Sequence, residues 1–157
     1  MLEQAGFPTA ISRSMDGWLK THAVFISCVC AALALEGGDS VRLGQNRVAV
    51  LLMVSAIREG FAALQSLGVR VMPFNLKVIF RWMPRWFAVR YWHRAFLGSL
   101  GRFSFAAHSN AARDEMEQLA SDVWRLVHNR ESLPTPSLEQ LFRRAGLACA
   151  APSGLEQ

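Results

Sequence analysis

Between Ala23 and Leu35 the sequence reads AVFISCVCAALAL, thirteen residues in which Ser27 is the only polar interruption. Crossing a bilayer takes roughly 20 such residues. The run is closed on its left by Lys20 and His22, and on its right by Glu36, Gly37 and Gly38. A helix this apolar and this short is best covered by other protein segments, and the rest of the chain has to supply that cover. Lys20 keeps two further readings open: a positive flank for a membrane anchor, and a catalytic amine at the mouth of a pocket.

The cover is helical. Apolar runs are long, Ala and Leu are abundant, and no Asn-Gly or Asp-Gly turn separates alternating segments. The pattern predicts six helices. The first spans Met15 to Leu35 and stops at Gly37-Gly38, where glycine can take the left-handed conformation that ends a helix. The second starts near Gln45 and runs to Gly68. Gly60 lies inside it, where a glycine costs helix stability, and a close helix crossing is one reason to keep it.

A short third helix covers Asn75 to Trp82. Pro84 then opens a fourth from Arg85 to Leu100. The fifth, Ser109 to His128, has a single apolar stripe with acids opposite. In the sixth, Thr135 can cap, Pro136 fills the first position and Gly146 ends the helix. The expected fold class is therefore all-α: about six helices in one bundle over residues 1–146, with 147–157 a loose tail.

Charge is uneven. The chain carries a net +5, with fifteen arginines against two lysines, and from Gly60 to Arg113 there is no Asp or Glu while eight Lys or Arg occur. A positive field of this kind suits nucleic acid, anionic lipid, a phosphorylated cofactor or an acidic partner. Its centre is RWMPRWFAVRYWHRAF, Arg81 to Phe96. Trp82, Trp86 and Phe96 recur at helical spacings that favour burial, and arginine stems can cover apolar neighbours. This reading ranks packing plus a domain or dimer interface first, a membrane surface second, and nucleic acid third.

Cys28 and Cys30 diverge by about 200° around a helix and cannot bridge each other. With Cys149 they make an odd count, which points to reduced thiols in a cytoplasmic protein. The four histidines, His22, His93, His108 and His128, form no metal-ligand spacing. There is no Gly-x-Ser-x-Gly elbow, no phosphate loop and no Gly-x-Gly-x-x-Gly turn. On its own residues, Lys20 reads as a first-turn lysine sharing a helix face with Val24, Ser27 and Cys28.

The segment AGFPTAISRSMDGWLKTHAVFISCVCAALAL, with Trp18, Leu19 and Lys20 opening a long apolar helix, resembles the start of the C-terminal helical domain of ketopantoate reductases. HSNAARDEMEQLASDVWRLV, AIREGFAALQSLGVRV and LPTPSLEQLF are similar to three further family segments, and together the four span Ala5 to Phe142.

The resemblance implies that Lys20 is the general acid that protonates a carbonyl oxygen as hydride arrives at carbon. It implies that Glu115 contacts substrate and positions that lysine. Val24 and Cys28 stand where the family has asparagines that hold the lysine and the substrate, which implies either a 2-oxo acid less polar than ketopantoate or no substrate at all. Phe103 stands nearest the family's substrate-binding serine, with Ser104 one position off. Family members bind NADPH on a Rossmann domain placed before this region. Here residues 1–12 read as a remnant of the interdomain segment, so no cofactor is bound by this chain alone. NADP then enters through a Rossmann domain supplied in trans or lost, and the family implies a homodimer. The alternatives remain a non-catalytic interaction or dimerisation module and a peripheral membrane protein.

Overall fold

A computed structural model of the chain describes residues 15–98, 113–128 and 133–147. Everything regular among them is helical. The elements are α1 (Met15–Leu35), α2 (Ser40–Gln45), α3 (Arg47–Ser66), α4 (Phe74–Lys77) continuing into a π-helical turn (Val78–Trp82), α5 (Arg85–Leu97), α6 (Arg113–Val127) and α7 (Pro136–Arg144).

α1 has the expected bounds, and Gly37 and Gly38 follow it with φ of 67° and 80°. Among the described residues there are already seven helices against the six expected, because two short polar side chains cap in tandem. Asp39 accepts from the amides of Val41 at 2.8 Å and Arg42 at 3.2 Å, which starts α2. Asn46 both ends α2 and accepts from Val48 and Ala49 at 3.1 Å each, which starts α3 two residues later than the apolar pattern suggests. The expected third helix is split into an α turn and a π turn. Within the described residues α5 ends at Leu97 rather than Leu100, and the expected beginning of the next helix at Ser109 lies outside them.

α3 is the central element, packed against α1, α5 and α7. Its crossing with α1 is close at Gly60, where a Cβ would stand 2.6 Å from Cγ1 of Val24. The core here is Val24, Cys28, Met53, Ile57 and Leu64, all with no exposed surface. A second, aromatic half of the core forms where α5 meets α1 and α3. Phe80 lies 6.1 Å from Phe25, 5.7 Å from Phe61 and 5.8 Å from Trp92.

Two adjacent residues of α3 tie the outer elements down. Arg58 donates to the carbonyl of Phe80 at 2.5 Å and to that of Met83, which closes the end of the π turn. Glu59 accepts from the Ser137 amide at 2.7 Å, the Ser137 hydroxyl at 2.5 Å and the Leu138 amide at 3.2 Å. This carboxylate caps α7. Thr135, expected to do so, makes no capping bond and instead meets Nε2 of His128 at 3.1 Å.

α1 and α3 are each long and apolar enough to cross a membrane, with mean hydropathies of 1.7 and 1.5 over their most apolar windows. In the bundle, 56% and 67% of those windows are buried.

Candidate functional site

The first turns of α1 carry two parallel pairs spaced four residues apart. Lys20 places its ammonium 2.9 Å from the Asp16 carboxylate, with 34% of the lysine side chain exposed. Beside it, the rings of Trp18 and His22 stack with centroids 4.9 Å apart and planes 6° from parallel. Burial lowers the pKa of His22 from its ordinary 6.5, so the ring is neutral at pH 7. Thr21 faces the other way: fully buried, it donates to the Gly17 carbonyl at 2.7 Å and accepts from the Met72 amide at 3.2 Å. That bond fastens the start of α1 to the loop after α3. Met15 and Leu19 are apolar yet 53% and 54% exposed, so Lys20 stands in a surface with uncovered hydrophobic area.

The other residues assigned by sequence lie apart from the lysine. Val24 and Cys28 share its helix face but point into the core, each with no exposed surface, so in this arrangement neither offers an atom to a ligand. Val24 fills the space left by Gly60. Glu115 is exposed on the first turn of α6. Its neighbour Met116 lines a cleft along the second half of α1, from Ser27 to Ala34 and on to Gly37, which begins roughly 10 Å and extends to roughly 20 Å along the helix axis from Lys20 at 1.5 Å per residue. The structure does not bring Lys20 and Glu115 together. Ser104 lies outside the described residues.

The cleft near Met116 holds about 280 Å³ and is also lined by Ser27 and Cys30. The Ser27 hydroxyl is buried and has no hydrogen-bond partner. Cys28 and Cys30 are both free thiols. Burial pushes Cys30 up to about 11, while burial, followed by the charges of Glu59 and Cys30, pushes Cys28 higher still. Neither is a nucleophile at neutral pH.

A thiol that ionises at about 9 when unfolded but at about 11 when folded keeps its proton longer in the native state. Its contribution is intact below pH 9 and is lost as pH rises towards 11. Cys30→Ala should therefore flatten the alkaline limb of a denaturation profile, recovering about 2 kcal/mol at pH 10.5 relative to wild type. Equal alkaline losses in the two proteins would refute that origin.

A second concavity, of about 630 Å³, opens between the start of α3 and α5 and is lined by arginines 47, 85, 90 and 94 together with Leu51 and Trp86. Of the three rings whose spacing favours burial, only Phe96 is buried, while Trp82 and Trp86 are 63% and 68% exposed; Trp92, not among the three, is buried as well. Pro84 interrupts the helical register, so the spacing of Trp82 cannot be continued through α5.

Sequence reasoning did not foresee the structural roles of Arg58 and Glu59. The available signal was a charged pair inside an otherwise apolar helix. Among the described residues no three His, Cys, Asp or Glu side chains gather in a way that could hold a metal ion. No known protein family, no characterised protein and no solved structure matches the chain.

Proposed function

We propose that this chain is the helical, substrate-side domain of a ketopantoate-reductase-like oxidoreductase, which reduces a 2-oxo acid with NADPH only in company with a nucleotide-binding domain. The observation that carries the reading is the surface around Lys20. A lysine held by Asp16 stands at an end of the bundle where Met15 and Leu19 expose apolar area that a second domain would cover. Packing supports it as well, since Glu59 and Ser137, which belong to two of the resembling segments, are joined directly.

In this reading the Lys20 ammonium gives its proton to the carbonyl oxygen as hydride reaches the carbon, and its charge stabilises the developing alkoxide. Because Val24 and Cys28 are occupied with core packing, further contacts to substrate come from Trp18, His22 or the nucleotide-binding domain. A cytoplasmic homodimer belongs to the same proposal. A second reading, a non-catalytic helical interaction or dimerisation module, is favoured by the separation of Lys20 from Glu115.

The two readings part in one assay. The chain is combined with the nucleotide-binding domain of a ketopantoate reductase, and NADPH oxidation is followed over a panel of 2-oxo acids. The proposal expects turnover in the mixture alone, falling by at least about 100-fold for Lys20→Ala. The melting temperature should barely move, because a surface ion pair contributes about 1 kcal/mol or less. Absence of turnover, or turnover indifferent to the substitution, leaves the module reading.

A further inference from the structure

α5 and the turn before it display a surface that neither the core nor the proposed reduction uses. Phe74 is 62% exposed, Trp82 63%, Trp86 68%, Phe87 37% and Tyr91 43%. Arg81, Arg85, Arg90 and Arg94 are exposed among them, and Arg47 joins from the start of α3. None of these five guanidiniums has an ion-pair partner among the described residues. The chain supplies no acid between Gly60 and Arg113 that could provide one. Such a surface keeps large apolar rings in water beside uncompensated positive charge. Both are costs that a partner of matching character would relieve.

We propose that this face docks on a membrane surface rich in anionic phospholipid. The arginines hold headgroup phosphates, with Arg47, Arg85, Arg90 and Arg94 around the groove of about 630 Å³, and the exposed tryptophans enter the interfacial layer that their amphipathic rings prefer. Charge complementarity selects the anionic leaflet.

Three observations separate this occupant from its rivals. Val48 and Leu51, 69% and 41% exposed next to the groove, gain nothing from a nucleic-acid backbone but bury favourably against acyl chains. The rings already contact one another edge to face, Phe74 with Trp82 and Trp86 with Phe87, which obstructs insertion of stacked bases. A second copy of the same face would set five arginines against five with no carboxylate between them, which a two-fold interface cannot relieve.

The test is co-sedimentation of the full chain with vesicles of phosphatidylcholine alone and of phosphatidylcholine with one-third phosphatidylglycerol, beside a single-stranded oligonucleotide as a soluble polyanion. Binding is expected to the anionic vesicles only, and to weaken steeply with salt. Brominated acyl chains should quench wild-type tryptophan fluorescence, a readout that needs no variant. Replacing Arg85, Arg90 and Arg94 together by Gln is expected to lower vesicle affinity about 100-fold, near a factor of five for each charge. Equal binding to both vesicle types, binding to neither, tighter binding to the oligonucleotide, or an unchanged affinity in a folded triple variant would each overturn the proposal.

Discussion

Glu59→Ala is expected to destabilise the bundle by about 3 kcal/mol. One carboxylate here satisfies three donors, two of them amides in the first turn of α7 that have no partner within their own helix. Losing a cap costs about 1–2 kcal/mol, and leaving a half-buried amide unsatisfied adds a further ~1–3 kcal/mol. The consequence extends beyond the cap, because α7 brings Leu138, Leu141 and Phe142 into the core and Glu59 fixes where that helix begins. For a chain of this size the loss corresponds to a melting temperature lower by about 6–12 °C.

Graded substitutions distinguish the cap from simple packing. Glu59→Gln keeps one acceptor oxygen and should lose about half as much, whereas Ser137→Ala removes a single bond and should lose about 1 kcal/mol. Urea denaturation gives all three values. A Glu59→Ala midpoint equal to wild type would show that α7 is held by its apolar face alone.

Gly60→Val carries a loss of similar size from the opposite cause, too many atoms rather than too few bonds. A Cβ at this position meets Cγ1 of Val24 at 2.6 Å, closer than two carbons can stand, and Val24 has no exposed surface through which to escape. A β-branched side chain in a helix has essentially one rotamer, so the clash has to be relieved by moving α1 away from α3. Overpacking of this kind costs about 1–3 kcal/mol, and the two additional methyl groups of valine place it near the upper limit.

The alanine variant gives a sharper signature. Gly60→Ala should destabilise wild type by about 1 kcal/mol although alanine is the better helix former. In a Val24→Ala background the same change should stabilise by several tenths of a kcal/mol, because the clash has gone and helix propensity remains. A double-mutant cycle without that reversal of sign would remove Val24 as the reason for the glycine.

Much of the bundle was legible in the sequence because it depends on local chemistry. The bounds of α1 follow from an apolar run stopped by two glycines, and a close crossing at Gly60 follows from a glycine where a helix would otherwise resist one. α2 carries no periodic signal because it is six residues long and lies in the polar stretch between two glycines and the next apolar run, where only the tandem Asp39 and Asn46 caps mark it. Of the assigned site residues, Lys20 was expected in the first turn of α1 and stands in the second, as the sixth residue of the helix. Val24 and Cys28 share its face in projection, yet the depth at which α3 crosses α1 decides that they are core.

Composition, periodicity and capping within a few residues were enough to establish that the described residues are helical, that α1 runs from Met15 to Leu35, and that the middle of the chain is basic. Helix packing was needed to settle which tryptophans of the basic segment are buried, that α7 is capped by a carboxylate seventy-eight residues earlier in the chain, and that Met116, next to Glu115, lines a cleft along the second half of α1 while Lys20 lies near its start. Those outcomes depend on how helices cross, and a crossing is fixed by the sum of many side-chain volumes and the few polar bonds that the packing permits, which no local stretch contains.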